Sequence, residues 1–497
     1  MKFNTKSTIK TRLEKHPMAM KNPEGGLSYR LEPLLDLYTR VGSSLMGEKK
    51  FYQDATSADR DLIKSIHDAI DIDPEFVLKL AIYCREKLYL RSVTTVLLAE
   101  LANSGHPIPN SRDLVARCIA RPDDMTELIS YQLAKNKINP GKAKIPSLIK
   151  NGIAKAFPKF DGYQISKYNR DGDVTLKDTL FLTHPRPKDP EQKAVWESLI
   201  SGNLEPPMTW EVMRSTGQMN WHQVINDVFH KNGRVNNYMA IIRNLRNCIQ
   251  APEVTKNDID LLGEMLGNEG AIKYSKILPF RLLTAYAELR KTNFYGRNIT
   301  PIYEGLERAA INSISNVPKL EGTSVIAIDV SGSMAWYRIA KNSVVNPANI
   351  SILLGMMANR ICDDARVCLF ANRMEWVNLP DGNILRNSYD VKAPGGATNG
   401  YLVIKDLIDR KINTDRVIFL TDMVLYGEGS FAPLWAKYHQ ITGAKLYNID
   451  LTGYGFTSVP NGMLGARTIG GWSDRIFEMI QCLEKGSSVI DEIKNME

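Results

Sequence analysis

Cysteine and histidine are both scarce, with six Cys and seven His in 497 residues. The cysteines (Cys84, Cys118, Cys248, Cys362, Cys368 and Cys482) contain no Cys-x-x-Cys pair and no disulfide-framework spacing, and none lies at zinc-ligand distance from a histidine. This excludes a disulfide-stapled domain and a zinc set, and it suits a reducing cytoplasm. There is no P-loop and no nucleophile elbow. No uninterrupted apolar segment is long enough to span a bilayer, and the basic stretch 1–21 has no apolar centre, so neither a membrane anchor nor a signal peptide is expected. What remains, 43% hydrophobic and 24% charged residues, is the composition of a globular chain too long for one core.

The charge is unevenly spread. Residues 321–497 hold 17 Lys+Arg against 19 Asp+Glu, a net of −2, so the total of +8 leaves +10 for residues 1–320. Positive excess confined to one part of a chain points to a polyanion as its partner. Residues 26–320 read as helix after helix. Pro74 opens one, with Val77, Leu80, Ala81, Cys84 and Leu88 at helical spacing, and similar segments recur at 93–102, 125–135, 145–157, 258–266 and 278–290. Paired helices without strands predict an α-solenoid. Beyond Pro318 the texture alternates: strands at 325–329, 366–371, 416–422 and 445–451, and helices at 348–361, 401–411, 433–441 and 474–483. That alternation predicts a doubly wound α/β sheet. The expected segments are a tail over 1–25, a helical domain over 26–320 and an α/β domain over 321–497.

The motif with most chemistry follows the apolar strand Ser324-Val325-Ile326-Ala327-Ile328. Asp329, Ser331 and Ser333 alternate on one turn, with Gly332 relieving the backbone. A second strand, Arg416–Leu420, ends in Thr421-Asp422, and between the two lies the glycine-bent loop Pro394-Gly395-Gly396-Ala397-Thr398-Asn399. Two carboxylates and three hydroxyls, from Asp329, Ser331, Ser333, Thr398 and Asp422, thus converge at one sheet edge, where open α/β sheets bind ligands. An all-oxygen, mostly neutral set suits Mg²⁺ or another hard divalent cation. The bland alternative is a strand-to-helix turn with Ser333 as cap. Asp450, after the strand that starts at Lys445, reads as a strand-end cap. Two carboxylates without a neighbouring general base do not make a two-metal hydrolase, so no catalysis is expected.

The most basic stretch, 137–188, holds 11 Lys+Arg against 4 Asp, a net of +7. Lys142, Lys144, Lys150, Lys167 and Arg186 belong to it, and Phe157, Phe160, Tyr163 and Tyr168 are interleaved. Cations for phosphates beside aromatics for unpaired bases fit RNA better than duplex DNA; a solvated loop between helices is the alternative. Arg243 and Arg246, on one predicted helix, fit a phosphate contact or a structural salt bridge equally well.

The stretch from 321 onward resembles a von Willebrand factor A domain with a metal-ion-dependent adhesion site, although its glycine loop is one residue longer than the usual Gly-Gly-Thr. Further strings resemble the Ro autoantigen (TROVE-domain) family. They are Glu24-Gly25-Gly26, Tyr163-Gln164-Ile165-Ser166-Lys167-Tyr168, Leu182-Thr183-His184-Pro185-Arg186-Pro187, Ile277-Leu278-Pro279-Phe280-Arg281, and Gly453-Tyr454-Gly455-Phe456-Thr457 followed by Gly470-Gly471-Trp472-Ser473. The resemblance implies a monomeric ring of HEAT-like helical repeats closed by the A domain. It also implies small structured Y-like RNA on the outer face, with the 3′ ends of misfolded RNA in the central hole. Lys167, Arg170 and His184 are carried over as RNA-facing residues, and an exoribonuclease or another carboxylate-bearing protein is the expected protein partner. The competing reading is a cytoplasmic interaction module in which the cation site is the main event and the helices present it.

Overall fold

A computed structural model of the chain describes residues 12–43, 50, 53–135, 144–205, 207–294, 296–314, 317, 319–336, 338–339, 343–379, 382–426, 431–472 and 475–496. These group into two compact units: one from 1–58 with 214–488, the other from 59–213 with 489–497.

In the smaller unit every regular element among the described residues is a helix. The helix Pro74–Glu86 starts where Asp73 accepts the Phe76 N–H (2.9 Å) and Pro74 fills the first turn. Its predicted face of Val77, Leu80, Ala81 and Cys84 is fully buried, and it packs on Ser92–Ser104, which ends at left-handed Gly105. The helix α1 (Pro122–Lys135) is tied back to that pair by charge. Buried Asp124 accepts from Arg85 (2.8 Å), Arg91 (2.6 Å) and two backbone N–H groups. Ser111–Cys118 and Ser147–Ala156 pack so closely that a Cβ on Gly152 would meet Val115 Cγ1 at 2.2 Å. Two short helices, α2 (Gly162–Tyr168) and α3 (Leu176–Thr183), each opened by a capping box, both pack on α1. Predicted segments and observed helices agree to within a few residues.

The larger unit contains more helices, among them α4 (Tyr238–Gln250), Lys256–Leu266, α5 (Pro279–Lys291) and Thr300–Ser313. Lys256–Leu266 and Thr300–Ser313 meet glycine on glycine: a Cβ on Gly305 would lie 2.3 Å from the Gly263 carbonyl oxygen, and one on Gly263 2.4 Å from that of Pro301.

The same unit holds a six-stranded sheet made of β1 (Leu320–Asp329), β2 (Cys362–Phe370), β3 (Met374–Val377), β4 (Arg416–Thr421), β5 (Lys445–Asp450) and β6 (Ala466–Gly470). The strand order is β6-β5-β4-β1-β2-β3, and all pairs are parallel except the edge hairpin β2–β3. Strand alternation sends Val325, Ala327, Val417 and Phe419 into one core with the helices Tyr401–Asp409 and Phe431–Thr442. On the opposite face Ile328 and Leu420 press against Gly355 of the helix Pro347–Ile361. Helices on both faces are what a buried parallel sheet requires, as the unbroken apolar strands predicted.

Several short strands lie outside the expected pattern: Met374–Val377 and Ala466–Gly470 at the edges of the sheet, the hairpin His230–Lys231/Arg234–Val235 within the segment expected to be helical throughout, and a hairpin near the start of the chain. Ala19–Lys21 and Leu27–Arg30 form a hairpin that pairs with Phe456–Thr457. Each strand is too short for alternation to show. The hairpin bears on the acidic edge of the sheet: Asn22 Nδ2 donates to the Leu425 carbonyl (2.8 Å), and a Cβ on Gly26 would meet that oxygen at 2.2 Å.

Gly305→Ala tests the close helix contact against local preference. Alanine in a helix interior normally gains about 0.8–1 kcal/mol over glycine; here the backbone clash reverses the sign, and we predict a loss of about 1–3 kcal/mol in denaturant unfolding. An increase in stability would contradict the contact.

Candidate functional site

The sheet edge is assembled by backbone bonds between three loops. The Gly332 N–H donates to the Gly396 carbonyl (2.9 Å) and the Gly395 N–H to that of Val330 (3.1 Å), which seats the glycine loop on the Asp329 turn. Gly395 and Gly396 have φ of +74° and +97°, a backbone that side chains resist, so the two glycines permit the bend. The Tyr426 N–H donates to the Thr398 carbonyl (2.8 Å), joining the loop after Asp422 to the same place. All five predicted ligand residues are buried. The Ser331 and Ser333 hydroxyls lie 3.3 Å apart, and Ser331, the N-cap of the short helix Gly332–Ala335, makes no side-chain cap bond. The serines are not used up in capping.

Asp329 accepts the Ser331 N–H (2.9 Å) and the Thr421 hydroxyl (2.5 Å). Asp422 accepts the Val424 N–H (3.0 Å) and a bond from Ser333, while its Oδ2 is buried without a partner. Burial, and for Asp422 also the charge of Asp329, pushes both carboxyls above their ordinary range. An orphaned carboxylate oxygen beside a second carboxylate and the hydroxyls of Ser331 and Ser333 fits a hard cation, which would offset the repulsion and occupy the free lone pairs. Among the described residues no group of three or more His, Cys, Asp or Glu assembles as a metal-ligand set; a cation here would rest on Asp329, Asp422 and the hydroxyls of Ser331, Ser333 and Thr398.

Two features add to the predicted set. Asp450 caps the turn after β5, accepting the Thr452 (2.9 Å) and Gly453 (2.7 Å) N–H groups, yet its Oδ2 is also buried and unpartnered, and burial raises its pKa too. Trp336, 66% exposed, lies over Gly332 and Gly395, so that a Cβ on Gly395 would meet its Cζ2 at 2.5 Å. Its position five residues after Ser331 carries no periodic signal that would single it out.

The predicted basic surface is partly assembled. Lys142 lies outside the described residues. Lys144 precedes the helix Ser147–Ala156, Lys150 lies on it, Lys167 ends α2, and Arg170 follows in the loop to α3. His184 caps α3 in the left-handed conformation (φ +50°), and Arg186 follows, exposed. None of the six makes an ion pair among the described residues. The aromatics divide. Phe157 and Phe160 are buried core residues (0% and 3% exposed), which corrects their reading as base-stacking groups: short helices do not reveal their inward face by spacing alone. Tyr163 is 54% exposed, with Lys167 Nζ 5.8 Å from its ring centroid. Phe181, 50% exposed on α3, is an exposed aromatic outside the predicted residues. Lys155 pairs with Asp113 (3.0 Å), and Lys159 donates to the Ala116 and Ile119 carbonyls, so these two cations are structural.

Comparison with known proteins adds the following. Residues 37–202 match the TROVE domain family. The chain is 27% identical over 329 residues to telomerase protein component 1 of Rattus norvegicus, covering 50% of this chain and 12% of that protein. It is 21% identical over 322 residues to the Mus musculus protein of the same name, with 48% and 12% covered. The chain thus spans a small part of the curated relatives it matches. The crystal structure of the Deinococcus radiodurans Ro (RSR) protein superposes with a TM-score of 0.60 at 16% identity, covering 91% of this chain and 99% of that one, which is a likeness of fold.

The buried acidic edge makes a thermal prediction. Mg²⁺ at about 100 times its Kd should stabilise the wild type by about 2.7 kcal/mol, read as a Tm increase of several degrees at about 2–4 °C per kcal/mol. Asp422→Asn, which removes a repelling charge, should melt higher than wild type without Mg²⁺ and gain nothing from it. An unchanged Mg²⁺ response in the variant would remove Asp422 from the site.

Proposed function

We propose that the chain is a non-catalytic RNA-binding protein of the cytoplasm, of the Ro type, a reading supported by the match of residues 37–202 to the TROVE domain family. Its ligands are small structured Y-like RNAs and the single-stranded 3′ ends of misfolded RNA. The observation that carries this reading is the surface of α2 and α3. Lys167, Arg170, His184 and Arg186, on or next to these helices, form no ion pair among the described residues; Lys167 lies over the exposed ring of Tyr163, and Phe181 of α3 is exposed as well. Unneutralised cations supply phosphate contacts and hence salt-dependent affinity, and exposed rings supply stacking for unpaired bases. The net +7 of residues 137–188 supports the same ligand.

The orphaned Oδ2 atoms of Asp422 and Asp450 favour a second role alongside it. A Mg²⁺ at the sheet edge, with a coordination position left open, would accept a carboxylate from a partner protein, an exoribonuclease being one candidate.

Titration of a hairpin RNA with a single-stranded 3′ tail tests the RNA reading. Lys167→Ala should weaken binding and reduce the slope of log K against log salt by about 0.7–0.9, one phosphate contact. His184→Ala should weaken it as well. Tyr163→Ala or Phe181→Ala should leave that slope unchanged and lose about 1–3 kcal/mol of affinity, the value of one stacked base. Affinity and salt slope unchanged in all four variants would reject this surface.

A further inference from the structure

We propose that a pocket between α4 and α5, in the larger unit, binds one nucleotide unit, with its phosphate on Arg243 and Arg281 and its base against Phe280. The proposal deepens the RNA reading by adding a site on a different part of the chain, and it rests on that reading only where the nucleotide belongs to a strand.

The pocket is about 540 Å³, within the range of small-molecule sites. Its lining is divided chemically. Arg243 and Arg246 from α4 and Arg281 from α5 make the charged wall, with Asn247 beside them, and Met239, Ile242, Leu245 and Phe280 make the apolar one. Glu288 is the acidic residue of the lining, leaving a net of +2. None of the three arginines forms an ion pair among the described residues, so the structural salt bridge open for Arg243 and Arg246 from sequence is not there. Arg281 is half-buried, and burial together with the charge of Arg243 pushes its pKa down from the usual value. Two neighbouring guanidiniums, neither ion-paired among the described residues, call for an anion that takes parallel N–H donors, which phosphate oxygens do.

The apolar wall distinguishes a nucleotide from a bare anion. The Phe280 ring packs edge-to-face with Trp472, centroids 6.0 Å apart, and Trp472 is itself anchored by its Nε1–H to the Leu451 carbonyl (2.7 Å). The Arg281 guanidinium lies 5.6 Å from the centroid of the same ring. A fixed aromatic face next to paired guanidiniums presents stacking and phosphate recognition one nucleotide apart.

The test uses the full chain and two probes, fluorescein-labelled oligoadenylate and adenosine monophosphate, with Arg243→Gln, Arg281→Gln and Phe280→Leu. Arg243 is exposed and Phe280→Leu keeps an apolar group against Trp472, so both variants should melt as wild type does. For the oligonucleotide we expect about a 10-fold or greater loss in each variant, and a decrease of about 0.7 in the salt slope for the arginine variants alone. Wild-type oligonucleotide affinity in all three variants would overturn the pocket while leaving RNA binding at α2 and α3 intact. If the wild type binds no RNA but binds the mononucleotide, and the variants lose it, the pocket stands as a site for a free nucleotide and the RNA reading fails. Binding of neither probe overturns the proposal.

Discussion

Three neighbouring strands end in carboxylates that water does not reach. Asp329 closes β1, Asp422 follows β4 and Asp450 closes β5, each 0% exposed. Burying one ionised carboxylate costs several kcal/mol unless donors surround it, and three together repel as well. Much of the larger unit serves to supply those donors and hold them in place. The Asp329 turn, the glycine loop and the segment after Asp422 are stitched to one another by backbone bonds. Asn22 and Gly26 of the N-terminal hairpin grip Leu425 behind Asp422, and Ser43 donates to the Asp450 carbonyl (2.6 Å). The helix Pro33–Ser43 reaches that position because Gly42 and Gly470 let the two backbones touch; a Cβ on Gly42 would sit 2.8 Å from the Gly470 oxygen. Even so, among the described residues Oδ2 of Asp422 and of Asp450 remain without partners.

The parts of this arrangement that could be read from sequence are those governed by short-range rules. Val325–Ile328 and Val417–Leu420 are apolar and largely β-branched on both faces, so they had to be buried parallel strands, and the aspartates after them had to sit at the C-terminal edge. Thr398 followed from two glycines in a loop between those strands. Asp450 is a cap, as read, but the state of its second oxygen depends on packing from the N-terminal segment, which no local pattern encodes. The hairpin at 19–30 failed to show for the same reason, since its pairing partner is Phe456–Thr457, more than four hundred residues away.

The basic surface divides along the same line. Spacing identified the cations but not their counterions, so Lys159, which donates to two carbonyls, and Lys167, which has no acidic partner among the described residues, look alike in sequence. It also could not tell Phe157 and Phe160, inside the core, from Phe181 and Tyr163, outside it. Arg243 and Arg246 fit a salt bridge or a phosphate equally well in sequence; among the described residues neither forms an ion pair, and both line the pocket between α4 and α5. Each unit therefore presents uncompensated positive charge beside an aromatic ring, and in both the ring is the half that distinguishes RNA from a generic polyanion.

Photo-crosslinking of the protein to its co-purifying RNA, followed by mass spectrometry of the nucleotide adducts, addresses that claim most directly. The account predicts adducts on the peptides that carry Tyr163 and Phe181. An adduct map confined to other peptides, or an absence of RNA adducts, would contradict it.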